Sequence, residues 1–182
     1  MTFDFFINWP SPKITKILLI FSIILLLVVY PILMYLFAIS NYPVSFFESQ
    51  LSFSGGIIKS HYATMTFIEI NLYIVANILD YGFMLSYGLL IFSLALILSR
   101  KFEPNTLWRK IGFTIAVFGI LAAFCDGIEN IFILLMANDP IGFPDMWAVS
   151  HSFFALIKYI LMLIAISWLI IAGVVRIIRK KK

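Results

Sequence analysis

Seven polar residues stand where the sequence is otherwise almost wholly apolar: Asn77 and Asp80, then Asp126, Glu129 and Asn130, then His151 and Lys158. Their types allow proton transfer, cation binding, or ion pairing between helices. A carboxylate can hold a proton or a cation, an ammonium can compensate it, and histidine can take either role. Three acids face one lysine and one histidine in this set, so it is acid-rich. At least one carboxylate is therefore expected to carry a proton or to meet a cation, since unpaired buried charge is strongly penalised. The natural guest is a cation, an amine or a lipid headgroup rather than an anion.

Other chemistries are poorly supported. His61, His151 and the carboxylates could ligate a metal, but they lack the local spacing of a metal motif, so no metal site is assigned. The single cysteine, Cys125, excludes an intramolecular disulfide and a cysteine-based zinc or iron–sulfur centre within one chain. Ser150 precedes His151 directly, and adjacent residues on a helix do not face each other. No glycine-rich phosphate loop, zinc-protease motif, heptad array or repeat is visible. The sequence assigns no catalytic residue and no cofactor.

The elements that carry these residues follow from composition. The chain has 182 residues, 63% hydrophobic and 12% charged. Soluble domains run near half apolar and a quarter charged, so lipid is the solvent that accepts this surface. Four spans are expected, at about 17–39, 66–99, 111–137 and 147–175, forming an all-α bundle in one membrane domain. Each is long enough to cross a ~30 Å hydrocarbon layer at ~1.5 Å per residue. The first is too long for the apolar core of a signal peptide, although Ala38-Ile39-Ser40 loosely fits a cleavage site.

Punctuation between the spans is clear. Trp9-Pro10-Ser11-Pro12 breaks helix in a head of residues 1–16, and Pro31 is expected to kink the first span. Residues 40–65 form a long loop. Ser45 and Glu48 have capping-box spacing there, and Gly55-Gly56 reads as a turn between two short segments. Thr66 and Glu69 repeat the capping box before the second span. Pro104 breaks a loop at 100–110, Asn138 to Gly142 form a turn, and Pro144 suits a first helical position.

Basic residues set the topology. Lys13, Lys16, Arg100, Lys101, Arg109, Lys110, Arg176 and the run Arg179 to Lys182 all flank the spans, and Lys59 alone falls in a loop assigned outside. By the positive-inside rule both termini and residues 100–110 are cytoplasmic, with 40–65 and 138–146 outside a cell membrane. The positive charge thus reads as a topology signal, with contact to anionic headgroups at the C-terminal run, and not as a nucleic-acid surface. The partners expected are the bilayer, a cation or lipid ligand, and further copies of the chain.

Helical rise puts the polar residues at similar depth. Asp126 falls ~22 Å and Glu129 ~27 Å above Ile111, Asp80 ~28 Å above Ser99, and Lys158 ~15 Å below Trp147. Helical side chains lean toward their own N-terminus. On antiparallel spans Asp126 and Lys158 therefore lean toward each other, and an ion pair is expected. Glu69, Tyr73, Asn77, Asp80, Met84 and Tyr87 form one stripe, and His151, Ala155, Lys158 and Met162 another. The expectation is one outward-opening site of Asn77, Asp80, Asp126, Glu129, Asn130, His151 and Lys158, covered by residues 40–65. It would bind or transport a cation, an amine or a lipid headgroup. The rival readings are a lipid-modifying enzyme with a carboxylate base and a structural subunit whose polar residues fix helix packing.

The topology is testable with cysteine labelling. In a Cys125→Ser background, Asn105→Cys should react with a membrane-impermeant maleimide only after the cells are opened. Labelling of that cysteine in intact cells would reverse the orientation.

Overall fold

The computed structural model describes residues 5–180; Lys181 and Lys182 of the C-terminal basic run lie outside them. Seven helices make up the fold, with no strand among the described residues: α1 (Phe5–Asn8), α2 (Pro12–Ile39), α3 (Phe46–Gln50), α4 (Gly55–Ala63), α5 (Phe67–Ser99), α6 (Leu107–Asn138) and α7 (Asp145–Lys180). Helices α2, α5, α6 and α7 are each long and apolar enough to cross a membrane.

Helix ends follow local chemistry, and they move several expected boundaries. α2 starts at Pro12, inside the segment assigned to the head. The Ser11 hydroxyl accepts from the Ile14 amide, and Pro12 occupies the first turn, where its missing amide costs nothing. The helix continues through Pro31. α6 starts at Leu107 on a Thr106 cap, so the loop expected to reach residue 110 ends four residues sooner. Pro144 sits just before α7 instead of within its first turn. Thr66 and Glu69 form the full capping box, whereas Ser45 caps α3 in one direction only.

The four long helices pack in chain order: α2 on α5, α5 on α6, and α6 on α7. α5 and α6 approach closely at Gly88 and Gly119. A Cβ on Gly119 would lie 2.6 Å from Ile91 Cγ2, and one on Gly88 would lie 2.7 Å from the Ala123 Cβ. Without a hydrophobic drive between helices in lipid, such small-residue contacts are what bring backbones together. α7 follows the same rule, burying Ala148, Ala155, Ala165 and Ala172 along one face. The chain does not close into a ring, because α2 and α7 share no packed interface.

The two ends of the bundle are built differently. At the basic end, Arg100 ties down the short N-terminal helix. Its guanidinium donates to the carbonyls of Phe6 (3.1 Å) and Pro10 (2.7 Å) and to Thr15 Oγ1 (3.0 Å). At the other end, α3 and α4 fold back over the bundle. Ile58, Tyr62 and Met65 pack with Tyr73, Ile133, Met136, Phe143 and Ala148. Tyr42 joins the two short helices, with its hydroxyl 2.8 Å from Ser49 Oγ and 3.3 Å from His61 Nδ1. Burial pushes the Tyr42 hydroxyl up to about 12, against the opposing Ser49 hydrogen bond, and lowers His61 from its ordinary value.

Gly55 and Gly56 are not a turn. They open α4, because Gly55 lies against the start of α7, where any Cβ would meet Asp145 Oδ1 at 2.3 Å. The neighbouring Lys59–Asp145 ion pair (2.8 Å) secures the same junction.

The α5–α6 crossing gives a direct stability test. Gly119→Val should destabilise the reconstituted protein by about 1–3 kcal/mol, the usual cost of overpacking. Gly173 has nothing within 4 Å of an added Cβ, so Gly173→Val is the control and should be near neutral in the same thermal melt.

Candidate functional site

Lys158 is the hub of the buried polar cluster. Its ammonium lies 2.9 Å from Asp126 Oδ1 and 2.6 Å from Glu129 Oε2. The Asp126 contact is the pair expected from the opposed lean of α6 and α7. The spacing of three residues puts Glu129 on the same side of α6, so one lysine meets both acids. Asp126 is satisfied on both oxygens, since Tyr87 donates to Oδ2 at 2.9 Å. Glu129 is fully buried at 0% exposure, and neither of its oxygens has a partner in hydrogen-bond geometry among the described residues. Its Oε1 lies 3.6 Å from His151 Nε2. His151 Nδ1 is buried without a partner among the described residues.

Asp80 belongs to a second group on the α5 side. Asn130 donates to Asp80 Oδ2 at 2.7 Å and reaches the Asn77 carbonyl oxygen at 3.4 Å. Asn77 turns its own amide back to the Tyr73 carbonyl (2.7 Å). No basic group among the described residues lies within ion-pair distance of Asp80.

A cavity of about 340 Å³ joins the two groups. Asn77, Asp80, Asp126, Asn130 and Lys158 line it on the α5–α6–α7 side. Tyr30, Leu33, Met34 and Phe37 of α2 form the facing wall, with Phe83 and Met162 beside them. Phe46, Ser49 and Gln50 of α3 border it as well, so part of the 40–65 segment adjoins the cavity.

Two residues expected in that pocket are not in its lining. Glu129 and His151 lie outside it, buried with Lys158 and the α6–α7 packing face. The reason is angular. Asp126 and Asn130 are four residues apart and share a stripe turned to α5, while Glu129, on the neighbouring stripe, turns to α7. His151 lies seven residues before Lys158, two turns along the same packing face.

Other cavity residues lay outside the expected set. Tyr87 was on the α5 stripe and could have been included by its spacing from Asp80. Tyr159 and Gln50 had no local signal, although Gln50 is the only glutamine in the chain. They meet across 109 residues of sequence, the Tyr159 hydroxyl donating to Gln50 Oε1. Among the described residues no three His, Cys, Asp or Glu side chains are grouped to hold a metal ion.

The hub predicts a graded mutational response. Lys158→Met should cost about 3–5 kcal/mol, because it strands buried acids. Adding Asp126→Asn should recover part of that loss, and adding Glu129→Gln as well should recover more. Chemical denaturation in mixed micelles would measure the series. A double variant no more stable than Lys158→Met would mean that Asp126 does not depend on the lysine.

No known family model, characterised protein or solved structure matches the chain.

Proposed function

We propose that this is a membrane-embedded binding protein whose cavity takes a cationic group, most naturally an organic amine, with Asp80 as the counter-charge. The observation that carries this reading is the division of charge. Lys158 is already engaged by Asp126 and Glu129, while Asp80 borders the same cavity with Asn130 as its hydrogen-bond partner and no ion pair among the described residues. A carboxylate in that position gains from a cation in the cavity and would be disfavoured by an anion. The aromatic walls support an organic cation, since Tyr30, Phe37, Phe83 and Tyr87 offer ring faces that attract an ammonium. A carboxylate, a few amide and hydroxyl groups and an apolar shell make up the usual composition of a small-molecule site.

The packing reading keeps part of the cluster. The Asp126–Lys158–Glu129 node joins α6 to α7 and serves structure; Asp80, Asn130 and Asn77 serve the guest. The reading places the chain in a cell membrane with both termini cytoplasmic and the α3–α4 end outside, on the strength of the Lys/Arg distribution. Movement of the guest across the membrane would extend the same reading.

Butylamine tests the charge preference against butyrate, which has similar size and opposite sign. In nanodiscs at neutral pH, butylamine should raise the thermal midpoint of the wild-type protein and butyrate should not. A bound ligand at a hundred times its Kd stabilises by about 2.7 kcal/mol, well within reach of a melt. Asp80→Asn should abolish the butylamine shift while keeping the unliganded midpoint close to wild type. An equal shift with butyrate, or a butylamine shift that survives Asp80→Asn, would overturn the reading.

A further inference from the structure

We propose that the guest is a single-chain amphiphilic amine held with its tail in the seam between α2 and α7 and entering from the bilayer. This rests on the cation-binding reading of the cavity and adds the class of ligand and its route. Three independent features of the structure point the same way.

The first is the roof. α3 closes the cavity toward the loop end through contacts with both flanking helices. Phe46 stacks edge-on against Phe37 of α2 at 4.5 Å between ring centroids, and Phe47 packs on Tyr159 of α7 at 5.5 Å. The Tyr159–Gln50 hydrogen bond fastens the end of α3 to α7. A solute arriving from water at that end meets these contacts before it meets Asp80.

The second is the seam. α2 and α7 both border the cavity yet share no packed interface. They are also the two outlying helices: 17% of the apolar window of each is buried, against 50% for α5 and 39% for α6. The gap between them therefore faces the hydrocarbon phase in which both helices are immersed.

The third is the polarity gradient across the cavity. Its charged groups and asparagines lie on α5, α6 and α7, and Ser49 and Gln50 of α3 lie at the roof, whereas α2 supplies only Tyr30, Leu33, Met34 and Phe37, whose one polar side-chain oxygen is the Tyr30 hydroxyl. A cavity of about 340 Å³ matches roughly eleven waters at ~30 Å³ each, enough for an ammonium and a short length of chain. A longer tail has to leave, and the apolar α2 side is where lipid can receive it. A head bound at Asp80 with a tail running out between α2 and α7 satisfies charge and solvation together.

The test compares dodecylamine with butylamine in nanodiscs by thermal shift, and only the part of each response lost in Asp80→Asn is counted. Dodecylamine should half-saturate wild-type protein at a total concentration at least ten-fold below butylamine. Met34 lines the cavity and is exposed on α2, so Met34→Trp fills the seam. It should weaken dodecylamine far more than butylamine and so collapse that chain-length ratio to below three-fold; an equal weakening of both amines would count against the seam. Met162→Trp fills the seam from α7 and should do the same, which covers the case in which one variant fails to fold. Simple partitioning of dodecylamine into lipid would leave the ratio unchanged in both variants, and that result would overturn the seam while leaving the cation site standing. A loss of Asp80 dependence for both amines would instead remove the cation site itself.

Discussion

One buried ammonium, that of Lys158, governs how this bundle is put together. It reaches two carboxylates one turn apart on α6, and all three residues are buried in the bundle. Placing an ionised group at such depth costs several kcal/mol unless it is compensated. The compensation fixes the facing rotation of α6 and α7, because any other rotation would leave acids and lysine apart in an apolar medium. The alanines of α7 let that approach happen, since larger residues would hold the two backbones beyond the reach of the side chains.

The same commitment creates the cavity on the opposite stripe of α6. With Glu129 turned to α7, Asn130 and Asp126 turn to α5, where Tyr87, Asp80 and the Asn77 carbonyl meet them. α2 brings no charged or amide group to this surface, and its extensive packing among the long helices is on α5. The polar side of the cavity is thus built mainly by three long helices and faced by the mostly apolar wall of the fourth. A tightly packed ion-pair node and an open polar surface arise from one helix, through side chains a single residue apart.

Much of this was legible in the sequence because a membrane restricts the choices. Composition and span length fix an all-helical chain with four long apolar helices. The opposed lean of side chains on antiparallel helices brings Asp126 to Lys158, and the step of three and four along α5 places Asn77, Asp80 and Tyr87 on one side, toward the cavity. What stayed hidden depends on angles finer than a stripe or on contacts far apart in sequence. Glu129 and Asn130 are neighbours in sequence but take opposite duties, and only the position of α7 decides which is which. Gly55-Gly56 has the composition of a turn, yet its reason lies ninety residues away, in the approach of Asp145. The Arg100 clamp on the Phe6 and Pro10 carbonyls is hidden likewise, since carbonyl partners leave no mark on residue type.

The contrast between the C-terminal end of α5 and its middle shows how this architecture treats charge. At one end Arg100 is saturated by main-chain and hydroxyl oxygens supplied by the N-terminal segment, so its charge is absorbed locally. Near the middle, Asp80 receives a single neutral donor, although Asn130 has more hydrogen-bonding capacity than it uses there. A chain that surrounds one ion of α5 with three acceptors had the means to surround the other. An ionised Asp80 beside a cavity, with no basic group within ion-pair distance among the described residues, costs stability in a medium that penalises uncompensated charge. Such a cost is offset by a proton on the carboxylate or by an outside cation that completes the pairing, and the proposed cation binding at Asp80 rests on the second.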